Sequence, residues 1–399
     1  MSNKKKRTVP CLVTTVLLCC MVLSGCSGGL VYELLNSTEQ EAQTLDTGVG
    51  FAEPESVTAD ESIYTEAVEQ AVGLSYELLG DGSAYRVIGI GDCVQSEFAI
   101  PSTYQGLPVT KIAMGAFEGS EIPVKVVIPH SVYLIDTESF RNCANLESVY
   151  IPNSVTIIGD AVFEGCPKIK SFEIPASVER IGIGAFSAGA GLESITVGLG
   201  NPYYYSKNNC LIERATGRLI SGCSNSTIPE EVRIIGYIAF QGCADMKEAI
   251  IPEGVVAIHE MAFSECTSLE YAGLPSTLQY MEGFVFHDCS SLREVVIAEG
   301  VEEIGLCAFY GTAITELYIP DSVTKLGSQC AEGCKRLKTV YLPAGLTWIG
   351  ISAFEDCTSL RNIHFSGTAH EWWAVVKDTR WDANTGSYTV YCSDGEVKK

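Results

Sequence analysis

Basic residues are scarce in this chain: Lys and Arg number 26 against 49 Asp and Glu, for a formal charge of −23. A surface this acidic repels phosphate backbones and anionic headgroups, which excludes nucleic acid as a partner and disfavours adsorption to lipid. Histidine is also sparse. The five, at 130, 259, 287, 364 and 370, show no metal-ligand spacing. His259-Glu260 has Phe263 where a zinc protease needs its second His. There is no Gly-x-Ser-x-Gly elbow and no phosphate-binding loop. Carboxylates are plentiful, but Glu147, Glu193 and Glu270 keep step with a sequence period, as a solvated face does. No catalytic residue, cofactor or metal is therefore expected. Beyond the N-terminus, no apolar run is long enough to span a bilayer.

What is present begins with an export signal. Lys4 to Arg7 precede an apolar run from Val9 to Leu23, too short for a comfortable span and flanked like a signal peptide. Leu23-Ser24-Gly25-Cys26 resembles the bacterial lipobox, which implies cleavage after residue 25 and acylation of Cys26. The alternatives are an ordinary signal peptide with an incidental Cys, or an uncleaved anchor helix. The expected location is outside the cytoplasm, held to the cell membrane by lipid alone. Residues 26–72 are acidic and little patterned, and read as a flexible tether, with a short helix over residues 61–72. At residues 73–99, two β-type runs flank Gly80-Asp81-Gly82, a hairpin signal that suits a cap over the first turn of an array.

The array occupies residues 100–365. A Phe recurs at 117, 140, 163, 186, 240, 263, 286, 309 and 354, almost always 23 residues apart, with Ala331 in the same slot. Ile-Pro recurs in step, as in Ile128-Pro129, Ile151-Pro152 and Ile251-Pro252, and Cys-x-x-Leu follows the Phe, as in Cys143/Leu146 and Cys266/Leu269. In Leu146-x-x-Val149-x-Ile151, strand alternation puts Val149 and Ile151 on one face. Pro152 ends the pairing. Val155 and Ile158 start the return path, Gly159 allows a tight bend, and Ala161 to Cys166 form a compact segment, read as a short helical turn, with Phe163 and Cys166 inward. One such coil cannot bury its apolar face alone, but stacked coils can. About ten coils forming one long parallel sheet are expected.

These Ile-Pro-x-Ser-Val-x-x-Ile-Gly-x-x-Ala-Phe-x-x-Cys-x-x-Leu units resemble the bacterial BspA-like leucine-rich repeats. The resemblance covers about residues 73–399. It implies a leucine-rich-repeat β-solenoid on the cell surface, binding an extracellular protein or other bacteria. The ninth coil departs, with Cys330-Ala331 for Ala-Phe, and coils one, four and eight lack the Cys. Residues 201–227 interrupt the period. Two apolar runs around Thr216-Gly217 read as a hairpin, and symmetric pairing places Cys210 opposite Cys223 as a candidate disulfide. The resemblance implies that this hairpin projects from the solenoid. Residues 366–399 read as a C-terminal cap. Trp372, Trp373 and Trp381 either cover the last coil or form a platform for a surface glycan.

The repeat cysteines, among them Cys143, Cys166, Cys266, Cys289, Cys334 and Cys357, share one slot and so stack in a column. Parallel side chains seldom reach disulfide torsions, so free buried thiols are expected. Functional information should sit where the repeat leaves residues free, on the outward face of the sheet. One outward row carries Tyr150, Ile250, Val296, Tyr318, Tyr341 and His364, and the adjacent row carries Tyr271. This face is either simply solvated or a binding strip in which Tyr318, Tyr341 and His364 supply the aromatic anchors.

Overall fold

The computed structural model describes residues 68–187, 189 and 191–399. The signal segment, Cys26 and the tether up to residue 67 lie outside the described residues; residues 68–72, the described end of the expected helix, are instead non-helical, with Gln70 bridging Ala99 and Ala71 N–H donating to Ala99 O at 2.8 Å. In the remainder, each 23-residue unit makes one turn of a solenoid and contributes strands to parallel ladders. The first ladder runs through Glu97–Ala99, Lys125–Val127 and Ser148–Tyr150, then Ser171–Ile174 paired with Ser194–Val197. It resumes with Glu248–Ile250, Tyr271–Gly273 and Glu294–Val296, then Glu316–Tyr318, Thr339–Leu342, Asn362–Phe365 and Thr389–Cys392. Inward positions are apolar and buried, as alternation requires: Val126, Leu317, Val340 and Ile363 are at most 1% exposed.

The return path is more structured than the sequence suggests. Leu134–Ile135, Ile157–Ile158 and Arg180–Ile181 pair in parallel as a second, narrower ladder. A third set of bonds joins the turns that carry the Phe residues: Phe140 N–H donates to Val162 O at 3.0 Å, and Phe163 N–H to Ala185 O at 2.9 Å. Those turns are not helical. Ala161 has φ of 50°, and the same slot is left-handed in Glu138, Ile238, Met261, Phe284, Cys307, Gln329 and Ser352, at 51° to 58°. A left-handed residue cannot sit inside a right-handed helical turn, which corrects the helical reading of this segment.

Each element of the repeat has a physical job. After Ile-Pro, the Pro carbonyl accepts from the Val three residues on, as in Val155 N–H to Pro152 O at 3.0 Å, closing a β-turn. The Ser before that Val ties coils together: Ser154 Oγ donates to Val132 O and Ser177 Oγ to Val155 O, both at 2.7 Å. Gly159 is required by close approach, since a Cβ there would lie 2.5 Å from Thr137 N. The Phe rings stack in a column, 4.9 Å apart at Phe117–Phe140 and 5.0 Å at Phe240–Phe263. Each fully buried ring contributes roughly 1.5–3 kcal/mol. The thiols donate to the Phe carbonyl of the preceding coil, as in Cys166 to Phe140 O at 3.1 Å and Cys289 to Phe263 O at 3.0 Å. All cysteines among the described residues are free. In coil eight Thr312 takes the Cys slot and its hydroxyl meets Cys334 Sγ at 3.2 Å. At coil nine the Phe column breaks, and Cys330 and Ala331 fill the space, at most 1% exposed.

The insertion does not project. Tyr204–Lys207 pairs antiparallel with Cys210–Glu213, which pairs antiparallel with Arg218–Ser221. That last strand then joins Ile234–Ile235 in parallel, so it occupies a rung of the second ladder. Cys210, Leu211, Ile212, Leu219 and Cys223 are all 0% exposed. The hairpin is thus an internal layer, because burying these side chains on neighbouring coils outweighs exposing them on a protruding arm. A bulge between Leu211 and Ile212 shifts the symmetric register expected for Cys210 and Cys223. Both are free thiols, and they belong to different parts of the core. One apolar cluster runs from Ala71 to Cys223, the other from Cys210 to Val390. The insertion is where they meet.

Both ends are covered. At the N-terminal side, Ser75–Leu78 folds back antiparallel on Tyr85–Gly89 around the Gly-Asp-Gly turn, and Tyr85–Gly89 joins Leu107–Ile112. At the C-terminal side, a capped helix Ala369–Ala374 precedes Thr389–Cys392, which turns into an antiparallel edge strand, Gly395–Lys398. Among the described residues no helix is long and apolar enough to cross a membrane.

Candidate binding surface

The outward row of the first ladder places the expected residues on one face but in separate groups. Tyr150 is half-buried beside His130, with ring centroids 6.5 Å apart. Further along, Ile250 and Val296 are 64% and 45% exposed, with Gly273 between them in register. Tyr271, from the adjacent row, folds its ring over that glycine: a Cβ on Gly273 would lie 3.2 Å from the Tyr271 hydroxyl. Ile250, Tyr271 and Val296 therefore make one small apolar patch. The ladder then loses its hydrogen bonding between Glu294–Val296 and Glu316–Tyr318, where one unit is a residue short.

Past that break the row becomes an aromatic stack. Tyr318 and Tyr341 lie 4.0 Å apart with planes 5° from parallel. Tyr341 and His364 follow at 4.9 Å, and His364 and Tyr391 at 5.0 Å. The parallel register sets this: Tyr318, Tyr341, His364 and Tyr391 are successive partners. Each stacked pair contributes about 0.5–1.5 kcal/mol beyond its burial. The sequence period, which stops after Phe365, leaves Tyr391 out of the expected row. A signal for it was available: Thr389-Val390-Tyr391 repeats the alternation of Asn362-Ile363-His364. At the other end, Tyr318 donates to Glu316 Oε2 at 3.3 Å. The Tyr341 phenol stacked against it, with the local loss of water and the Glu316 carboxylate, pushes the Tyr318 phenol up to about 12.

Stacking decides what the strip offers. The rings of Tyr341 and His364 have both faces covered by their neighbours, so only edges, hydroxyls and ring nitrogens reach solvent. Beside the stack runs an open groove of about 370 Å³, where Tyr341, His364 and Tyr391 meet Asp321, Ser366 and Ser393.

The indoles divide. Trp372 is 3% exposed and packs on Phe365 at 5.4 Å and on Trp381 at 6.0 Å. Trp381 in turn meets Phe354 edge-on at 6.3 Å. These two close the last coil. Trp373 alone is exposed, at 70%, and one indole is no platform. Elsewhere, His259 Nδ1 lies 3.0 Å from Glu282 Oε1 and its ring stacks on Tyr237 at 4.5 Å. Phe263, where a second His would be needed, is 0% exposed in the core. Among the described residues no three His, Cys, Asp or Glu side chains converge in a way that could hold a metal.

Comparison with known proteins follows the repeat. A family model described as "BspA type Leucine rich repeat region" matches in six copies, over residues 93–214, 220–338 and 325–372. A leucine-rich repeat protein from Bacteroides ovatus is 26% identical, with a TM-score of 0.51 over 76% of this chain and 71% of that one. A leucine rich cell surface protein from Faecalibacterium prausnitzii is 22% identical, with a TM-score of 0.52 over 78% of this chain and 98% of the other. A leucine-rich repeat protein from Eubacterium ventriosum is 22% identical, with a TM-score of 0.61 over 73% and 82%. The last two share the fold. No curated protein matches the chain at a significant level.

Proposed function

Because the chain belongs to the BspA-type leucine-rich repeat family, we propose that it is a non-catalytic adhesive scaffold whose first ladder binds an extracellular protein. One observation carries this reading: the Tyr318–Tyr341–His364–Tyr391 stack, held rigid on four paired strands and open to solvent. Tyr is a favoured interface anchor because it offers a large, stiff, amphipathic surface. Here its ordering cost is met before binding, since each ring is already fixed by its neighbours. The Ile250–Tyr271–Val296 patch on the same ladder adds a second contact area.

A protein partner fits the geometry better than a glycan. Sugars stack on open aromatic faces, and the two inner rings of this strip present edges, leaving only Tyr318 and Tyr391 without a second stacked neighbour. The indoles that a glycan platform would use, Trp372 and Trp381, are committed to the C-terminal cap. Location outside the cytoplasm, through an acylated Cys26, is part of the same proposal. It is supported by the lipobox-like Leu23-Ser24-Gly25-Cys26 and by a solved relative described as a cell surface protein. Fold alone does not set the ligand.

The test is a panel of matrix proteins and glycans probed with the full chain and with Tyr318→Ala and Tyr341→Ala variants. Capture of a protein that both variants weaken at least tenfold supports the reading. Glycan binding indifferent to both variants refutes it, as does substrate turnover by the purified chain. Metabolic lipid labelling that persists in Cys26→Ser would refute the anchor.

A further inference from the structure

We propose that the groove beside the aromatic stack is a recognition site for an arginine side chain of the partner protein. This rests on the first ladder being the binding face. Charge provides the first argument. Among the described residues that line the groove, Asp321 is the carboxylate and none is Lys or Arg. A second carboxylate stands behind it: Glu299 accepts from the Asp321 and Ser322 N–H groups at 3.1 and 2.9 Å. Those bonds hold Glu299 below the usual carboxylate range, so it stays charged. At the far end of the stack Glu396 sits opposite Tyr391 in the edge-strand pair. The base of that strand, Lys398, is opposite Thr389, at the strand's other end. The chain as a whole carries −23, so its long-range field favours a cation over an anion.

The lining supplies the second argument. One wall is apolar, from Ile319, Leu342, Pro343 and Phe365, and suits an aliphatic stem. The polar part offers several oxygens that can accept, the Asp321 carboxylate, the hydroxyls of Ser366 and Ser393, and the phenols of Tyr341 and Tyr391, beside the His364 imidazole. Ser366 Oγ already accepts from Ala344 N–H at 2.7 Å, which fixes its position. A guanidinium is planar, weakly hydrated and carries five donors in a fixed fork, so it can satisfy several oxygens at once. An ammonium offers fewer directed donors and sheds its water less readily. An acidic head would meet Asp321 with like charge, and a neutral amide head could hydrogen-bond it without offsetting its charge.

The test uses the full chain, titrated at physiological ionic strength by fluorescence anisotropy. The probes are labelled Gly/Ser peptides bearing one arginine, one lysine or one citrulline, the last matching arginine in shape but not in charge. The arginine peptide should bind at least tenfold more tightly than the citrulline peptide and more tightly than the lysine peptide. Asp321→Asn should remove at least tenfold of that affinity. Glu248→Gln changes the net charge equally on the same ladder, away from the groove, and should cost less than twofold. Equal binding of arginine and citrulline overturns the assignment, and so do equal losses from the two charge variants. Capture of a matrix protein separates this from the broader reading. If Tyr341→Ala abolishes capture and Asp321→Asn does not, the binding face stands and the arginine site falls. If neither variant matters, both fall.

Discussion

Replacing Cys266 by Thr and by Val tests why cysteine recurs in the repeat. The thiol is 0% exposed and donates to Phe240 O at 3.1 Å. That carbonyl also accepts from Cys243 N–H at 3.0 Å, so losing the thiol does not orphan it. The cost of removing the donor is therefore that of one net hydrogen bond, about 1 kcal/mol, rather than the larger penalty of a buried unpaired group. Thr and Val have the same shape and differ by the hydroxyl, and Thr312 shows that a hydroxyl fits this slot. The Cys266→Thr variant should thus be more stable than Cys266→Val by about 1 kcal/mol, roughly a fivefold change in local opening. Native-state hydrogen exchange on peptides spanning the Phe240 and Phe263 turns reads this directly. In a purely space-filling slot the order would reverse, since burying a hydroxyl without a partner costs free energy. Val equal to or better than Thr would therefore refute the hydrogen-bond account.

Trp372→Ala should destabilise the C-terminal cap by about 3–5 kcal/mol and expose the last coil to exchange, whereas the exposed Trp373→Ala should change stability by less than about 0.5 kcal/mol. Glu265 is exposed and left-handed, with φ of 61°, in a slot filled by Gly165, Gly242, Gly311 and Gly333 elsewhere. Glu265→Gly should stabilise the chain by up to about 1 kcal/mol, the strain relieved less glycine's own entropy, measured by thermal melting. Glu253 and Glu299 are held below their ordinary value of 4.5 by hydrogen bonds to the next coil's backbone and hydroxyls. A depressed folded-state value means that their contribution is present above that range and is lost as pH falls through it. Melting temperature should drop on acidification below about pH 4.5, and Glu299→Gln should flatten that drop. An unchanged pH profile in the variant would rule the contact out as a contributor.

The repeat was legible because its signals are long-range and redundant. Phe, Ile-Pro and Cys keep one register across many coils, so a single departure such as Ala331 does not hide it. The Gly80-Asp81-Gly82 hairpin was legible from turn chemistry. Other features carry little sequence signal. Two-residue strands such as Ile157–Ile158 are too short to show alternation. The left-handed slot holds Glu, Ala, Ile, Met and Phe, so composition gives no cue, and the coil-to-coil bonds around it impose the conformation. The internal seat of the insertion depends on Leu211 and Leu219 finding neighbouring coils, which is a tertiary fact. Tyr318, Tyr341 and His364 were visible as a row. That they stack, so that the inner rings present edges, follows only from the register of the paired strands.

The insertion also bears on how the solenoid opens. Where coils are in register they repeat the same parallel bonds, as from Glu316–Tyr318 through Asn362–Phe365. The Tyr204–Ser221 layer breaks that uniformity: its strands run antiparallel, and the two apolar clusters abut there and do not merge. The two halves of the solenoid therefore keep separate apolar cores, and local opening in one need not unpack the half that carries the aromatic stack.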